Sequence, residues 1–473
     1  MHSIPGERHH PRHFRAAPLA ALLAALCCLG AYGEEPATGN GSNPAWSDHF
    51  APRFDVDFGQ IVKGKTGSTE FEYQPMNRNT VVLAGNGNLG GEWKFDATLM
   101  GIIWWPFNTN PTEPIHRAMR SEFRLGQTAA RRDFSASAWD PRFLELGYLR
   151  YKYNRDARNL GEYLHRSGTY PGIVTTTDGF QLMDNALYES VGAHMRYSLG
   201  DGLIVNDITL FAEPLMSPIG DLTPGYELSL NTSILQVGLG AAFNRLISWR
   251  PSRLSPKTPD NTIAIVTDVV SDSAGKPDTV AISGRLDGIA SIAPIDTAIM
   301  GYWNKRGIKL MARAALDLGF LLPAGLKGPE DLRVFSEIAV LGWENQGFFY
   351  EKRSQRIPIM AGINLPTFTL LDLLSVQGEY YAARFDNTQS YTTVSSPIWD
   401  VESFTTYDPD QFKKDDWKWS VYAVRSIGKL AKVKLQVAND HLRLREFLLQ
   451  QSDETLTRRP SHWYYLMRLE FGI

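Results

Sequence analysis

Cysteine is almost missing from this chain: of 473 residues only Cys27 and Cys28 carry a thiol. Both lie inside a segment that reads as an export signal. The mature chain therefore has no disulfide, no thiolate nucleophile and no Cys-based zinc site. Long apolar runs are scarce as well. Ala16–Gly30 follows a basic stretch (Arg8, Arg12, Arg15) and ends at Ala31-Tyr32-Gly33, a small-residue exit that predicts cleavage before Glu34. It falls short of the roughly 20 residues a spanning helix needs. Leu26 stands directly before Cys27, where lipid attachment would want a small residue. Past Glu34 no run approaches helix-spanning length. Charge of one sign is lacking too. The formal net charge of −3 becomes −5 once residues 1–33, with three Arg and one Glu, are removed. Nucleic acid is thereby excluded as a bulk electrostatic partner.

Histidine is thin: His49, His116, His165, His194, His441 and His462 remain after cleavage, none in an HExxH or HxxxH pair. No metal centre is expected, and no motif implies a cofactor. Gly85-x-Gly87-x-x-Gly90 superficially matches a dinucleotide-binding turn, but Glu92–Gly101 alternates as a strand where that fingerprint needs a helix. Asn86-Gly87 reads instead as a hairpin turn.

What the chain does have is alternation. In the last dozen residues Trp463, Tyr465, Met467, Leu469, Phe471 and Ile473 share one face of a period-2 strand. His462, Tyr464, Arg468, Glu470 and Gly472 share the other, with Leu466 the misfit. A strand of this length crosses a bilayer when tilted. The same pattern sets Ile308, Leu310, Ala312, Ala314, Leu316 and Leu318 against Lys309, Arg313 and Asp317. It recurs at Met119–Leu125, Val191–Leu199, Leu374–Tyr380 and Ala431–Val437. A soluble sandwich writes the same string, so the connections decide. Compact links (Gly200-Asp201-Gly202, around Gly428, Pro366–Leu373, Phe320–Asp331) alternate with long polar ones (Gly342–Arg356, Phe385–Trp417, Asp440–His462). Tight turns at one end and extended loops at the other are the pattern of a transmembrane barrel.

On these residues the chain resembles the Gram-negative outer-membrane β-barrel class, porin-like in its size. The last strand of that class ends in an aromatic residue that the barrel-assembly machinery reads; here Ile473 is last and Phe471 stands two before it. The resemblance implies an all-β, transmembrane, antiparallel up-and-down barrel of about 16 strands (roughly 14–18) in the cell outer membrane. Its partners would be outer-membrane lipid, the assembly machinery and small hydrophilic solutes. The expected organisation is a signal at 1–33 and a flexible lead-in at 34–50. Residues 51–90 form early strands or a small periplasmic or plug element, and the barrel occupies 91–473.

Alternation places Arg120, Glu122, Arg124, His194, Arg196, Lys309, Arg313, Asp317, Glu337, Glu379, Lys432, Lys434, Arg468 and Glu470 on the inner face. Opposed rows of charge tune selectivity in a pore, and the basic excess near the C-terminal strands would favour anions. The plainer reading is that these charges pair across strands. The stretch Asp156–Gly172 reads either as an outer loop, which is favoured, or as a segment folded into the pore. In the second case Asn159, Glu162, Tyr163, His165 and Arg166 would constrict it. His194 could serve a barrel enzyme with a serine nucleophile, but no accompanying motif is found and a solvated lumen residue is preferred. The leading expectation is a diffusion channel. The alternative is a structural or surface-binding barrel that works through its outer loops.

Overall fold

The computed structural model describes residues 50–472. It leaves out 106–119, 135–141, 158–159, 166–187, 213–221, 248–261, 272–276, 284–300, 344–352, 382–416, 440–442, 445–453, 456–458 and a few shorter gaps. Nine strands come first: β1 Phe50–Thr66, β2 Thr69–Gly90, β3 Trp93–Trp105, β4 Arg120–Asp133, β5 Phe143–Tyr151, β6 Tyr188–Leu199, β7 Ile204–Ala212, β8 Leu222–Asn231 and β9 Leu235–Asn244. A separate three-stranded sheet follows, made of β10 Thr262–Ser271, β11 Pro277–Ser283 and β12 Gly301–Asn304. Then come β13 Gly307–Asp317, β14 Arg333–Leu341, β15 Ile359–Asn364, β16 Leu373–Tyr380, β17 Trp417–Ile427 and β18 Ala431–Ala438. A short pair, β19 Arg443–Leu444 and β20 Glu454–Thr455, precedes β21 Trp463–Gly472.

Strands β1–β9, β13–β18 and β21 close on themselves as an antiparallel barrel in sequence order, sixteen staves sealed by β1 against β21. The barrel thus starts at Phe50 rather than Gly91, and residues 51–90 supply β1 and β2. Closure leaves no unpaired edge, which is what lets a sheet exist without water on its rim.

Sequence alternation becomes radial here. Along β6, Val191, Met195, Tyr197 and Leu199 are exposed while Ser190, His194 and Ser198 are buried. Along β16, Val376 and Tyr380 are exposed against buried Ser375, Gln377 and Glu379. The outer face is therefore apolar and the inner face polar, the reverse of a soluble sheet. Leu466, the misfit of the last strand, is inward and buried with Ile61, Met76, Tyr422 and Tyr464. The inner wall carries an apolar cluster there, so the strand has two apolar patches rather than one error.

Asn86-Gly87 is not a turn. Both residues continue β2, paired with Asp96 and Phe95, and the chain reverses at Gly90–Trp93. A long hairpin gains several ladder pairs by carrying its turn further out, and that outweighs a local turn preference. Gly200–Leu203 does turn tightly, with the Leu203 N–H donating to the Gly200 carbonyl. Asp201 and Gly202 at φ 53° and 83° give the hairpin geometry that follows strand twist. Between β3 and β4 the register slips by one residue, Leu99 facing Leu125 but Ala97 facing Thr128. This bulge inverts the face of β4: Phe123 and Leu125 are exposed before it, and Ala129 is buried after it.

Candidate functional site: the barrel interior and its inserted segment

The seam is held by charge as well as by the ladder. Asp57 on β1 accepts from Arg468 of β21 at 2.6 and 3.0 Å and from Arg78 of β2 at 3.0 Å. Nearer the short-turn rim Lys434 and Glu470 lie 2.6 Å apart, and Arg53 reaches Asp55 at 3.0 Å. On the other side of the wall Arg196 grips Asp207 through two bonds at 2.8 and 3.0 Å. His194 bonds Asp207 at 2.7 Å and Glu145 at 3.3 Å. Arg131, turned inward by the bulge, stacks over Phe143 and stands 3.5 Å from Glu145. The basic residues read as lumen-lining at Arg196, Lys434 and Arg468 are thus each in an ion pair. Such mutual neutralisation is what buried charge requires.

Other inner-face expectations divide. Arg120, Glu122 and Arg124 occupy β4 in alternation with exposed Phe123 and Leu125, but their side chains lie outside the described residues. Asp317 ends β13, and its carboxylate caps the following turn at the Gly319 N–H, 2.9 Å away. Lys432 is exposed beside the Gly428 turn. Both belong to the short-turn rim, because strand ends run past the part of the wall that faces its opposite side.

Of the stretch Asp156–Gly172, the part described as far as His165 is packed against the inner wall. From Tyr151 to His165 the chain leaves β5 and runs inward. Tyr153, Asn154, Asp156, Ala157, Leu160, Glu162, Tyr163, Leu164 and His165 are all buried. Leu160, Tyr163 and Leu164 pack with Phe211, Met311, Phe335 and Met360 of the inner wall. Polar anchors surround this apolar contact. The Glu337 carboxylate on β14 accepts from the Tyr163 N–H at 2.6 Å and the Glu162 N–H at 3.0 Å. It also accepts from the Asn154 amide at 2.7 Å and from the Tyr153 hydroxyl. Arg333 holds Asp156 by two bonds at 2.8 and 3.0 Å. The Tyr163 hydroxyl donates to Glu379 at 2.9 Å, and Arg313 donates to the Tyr153 carbonyl. Lys309 lies 3.5 Å from the Tyr163 carbonyl. Glu227 takes the Tyr151 hydroxyl at 2.7 Å and meets His165 at 3.1 Å.

Within the segment Glu162 accepts from the backbone N–H groups of Tyr153 and Asn154 at 2.8 and 3.1 Å, closing it into a knot. Burial, and then the facing carboxylate of Glu337, push Glu162 well above the usual carboxylate range. Gly161 turns with φ 80°, and a Cβ there would stand 2.6 Å from the Met360 methyl. The positive φ is what favours glycine there, since the Met360 methyl is the free end of a flexible side chain and can give way. Of the constriction candidates, Glu162, Tyr163 and His165 are brought together inside the barrel, and Asn159 and Arg166 lie outside the described residues.

The sequence reading missed Asp57, Arg78, Asp156, Asp207, Glu227 and Arg333. Asp207 alternates with Ile208 and Leu210, and Glu227 sits between Tyr226 and Leu228, so the period-2 rule could have found them. Asp156 carries no such signal, because it sits on no strand.

No family model matches the chain, and no curated protein does. Among solved structures, two variants of the Rh. blastica porin each match over 90% of this chain and 99% of their own, at 8% identity and a TM-score of 0.39. A triple mutant of the Rhodopseudomonas blastica porin gives the same coverage and identity at a TM-score of 0.38. What the chain does has to come from the barrel's own side chains.

Proposed function

We propose that the chain is a porin-like channel of the outer membrane, through which small hydrophilic solutes diffuse past the Tyr151–His165 segment. The observation that carries this reading is a sealed sixteen-stave barrel with an apolar exterior, a hydrogen-bonding interior and a segment anchored inside it. Barrels of this size are wide enough to enclose water. The exposed Tyr380, Trp343 and Trp417 sit where strands meet the long links, the place where amphipathic rings anchor to a membrane interface. In this reading lipid contacts the outer face, and the assembly machinery receives the β21 end. Glu162, Tyr163 and His165 narrow the path. Catalysis fits poorly: His194 directs both ring nitrogens at carboxylates, leaving none to activate a serine.

A second reading, a plugged barrel that binds partners through its outer loops, is favoured by one observation. Inner-wall residues around the whole circumference, from Asp57 to Ser190, Thr223, Glu337, Ser420 and Tyr464, are almost fully buried. Planar-bilayer recording of the purified protein separates the two. A channel gives stepwise conductance in salt, whereas a persistently silent membrane with correctly folded protein refutes the channel.

A further inference from the structure

Three consecutive short links, β13–β14, β15–β16 and β17–β18, are tied to one another. Asp331 of the first accepts from the Thr367 N–H of the second at 3.2 Å. Arg425, near the end of β17, donates to the Thr369 carbonyl at 2.6 Å, and Asp372 accepts from the Ser426 N–H at 2.6 Å. What this platform exposes is apolar: Phe320, Leu321 and Leu326, then Phe368 and Leu370, then Ile427 and Leu430, with Leu370 76% exposed. Phe368 and Thr369 both hold a positive φ, 51° and 67°. Side chains of that bulk avoid such backbone unless their surroundings impose it. Here the Leu370 N–H donates to the Thr367 carbonyl at 3.0 Å, and the Thr367 hydroxyl to the Leu371 carbonyl at 2.7 Å. The apolar tips are thus presented by firmly held turns.

Two features say what covers them. The patch runs on from the apolar exterior, where Leu316, Val334 and Leu435 of the same strands are exposed. The exposed charge among the tips is positive. Arg425 alternates with the inner-face residues Tyr422 and Val424, and its guanidinium bends to the rim at Thr369, between Phe368 and Leu370. Lys327 is exposed beside Leu326. The acids of these links are turned onto backbone N–H groups instead, Asp317 onto Gly319 and Asp331 onto Gly328, each at 2.9 Å, and Glu330 is half-buried. Apolar knobs beside cations match the acyl chains and phosphates of an anionic leaflet. Across the ring the short-turn ends differ. Around β2–β5 exposed charges pair, Lys94 with Asp133 at 2.9 Å and Arg132 with Glu92 at 2.7 Å, and Arg132 stands over the Phe134 ring. Those ends suit water.

We propose that the β13–β18 links enter the leaflet on the short-turn side and gather its anionic phospholipids, so that the barrel sits tilted with the β2–β5 ends standing clear in water. This rests on the membrane part of the reading above and not on conduction. The test uses the full chain with Cys27 and Cys28 replaced by Ala, in nanodiscs of phosphatidylcholine and phosphatidylglycerol. Phe320→Cys, Leu370→Cys, Leu239→Cys and Glu92→Cys each carry a nitrobenzoxadiazole label, and heat-modifiable gel migration reports folding. Quenching by doxyl-labelled lipid marks contact with acyl chains, and quenching by iodide marks contact with water. Positions 320 and 370 should behave like Leu239 on the outer face of β9, quenched by lipid and shielded from iodide; position 92 should do the reverse. The doxyl group should quench position 370 about 2- to 5-fold more strongly when phosphatidylglycerol carries it than when phosphatidylcholine does. Iodide quenching at 320 or 370, with 239 still in lipid, overturns the proposal and leaves the membrane reading standing. So does equal quenching by the two lipids. Shielding of 320 and 370 from both quenchers means that a second chain covers the platform, and overturns it too. Iodide quenching at 239 sinks the membrane reading and this proposal with it. Should one labelled variant not fold, the other of positions 320 and 370 decides.

Discussion

Replacing Glu337 by Gln should unseat the inserted segment. Each oxygen of the Glu337 carboxylate accepts two donors: Tyr163 N–H and Tyr153 hydroxyl on one, Glu162 N–H and Asn154 amide on the other. Gln is nearly isosteric, but whichever oxygen becomes NH2 confronts two donors with a third. Hydrogen bonds to a charged group contribute about 1.5–3 kcal/mol each, so losing two costs about 3–6 kcal/mol. At tenfold per about 1.4 kcal/mol, the population with the segment detached should rise by about two to four orders of magnitude. Ala157 offers a reporter, being fully buried in the segment. The chain has no cysteine beyond Cys27 and Cys28, so Ala157→Cys in a chain with both of these replaced by Ala gives a single maleimide target. Labelling of A157C should be slow with Glu337 in place and faster by the stated factor with E337Q, the barrel remaining heat-modifiable. Rates within about threefold of each other would show that the carboxylate is not what holds the segment, since even one lost bond of about 1.5 kcal/mol exceeds that factor.

Asp57→Ala removes the acceptor shared by Arg78 and Arg468 and takes the buried countercharge of both from the wall. The expected loss is about 3–5 kcal/mol, seen as a lower urea midpoint for conversion to the unfolded gel band. Leu239→Arg, on an outward position of β9 that is 55% exposed, should cost about 2–4 kcal/mol in a bilayer and little in a mixed micelle. An equal penalty in both would argue against a lipid-facing outer surface. Glu162 binds its proton more tightly in the fold than in the unfolded chain, so its contribution is complete below the ordinary carboxylate range and fades as pH rises through the raised value. Amides 160–164 should therefore exchange more slowly at pH 6 than at pH 9 after correction for intrinsic rates, and Glu162→Gln should remove the difference. His462 behaves oppositely: burial and the nearby Arg459 hold it down to about 4. Stability it contributes above about pH 6.5 is lost on the way to that value, and His462→Gln should flatten this acid-side decline in the same gel assay.

The barrel was legible because its rule is local. A two-residue period and the rhythm of links survive in any stretch, so β6, β13, β16, β18 and β21 stand out residue by residue. The errors come where a distant partner decides. Leu466 breaks the pattern only until Ile61 and Met76 close the cluster around it. Asn86-Gly87 has turn chemistry, yet β3 extends to meet it. The inserted segment was hardest, since Asp156 and Glu162 read as loop residues until Arg333 and Glu337, contributed by β14, supply their partners.

The triad at the seam also bears on the order in which the barrel can form. Asp57 and Arg468 are 411 residues apart in sequence, so this bond belongs to the most distant pairing in the fold, and loop closure makes it late. Until β21 docks, Asp57 has only Arg78, and β1 presents a bare edge. A chain cut short before Arg468 would hold an open sheet with a half-compensated acid at its margin. Closing the ring therefore acts as a completeness check, in which the last stave to arrive is the one that satisfies the first.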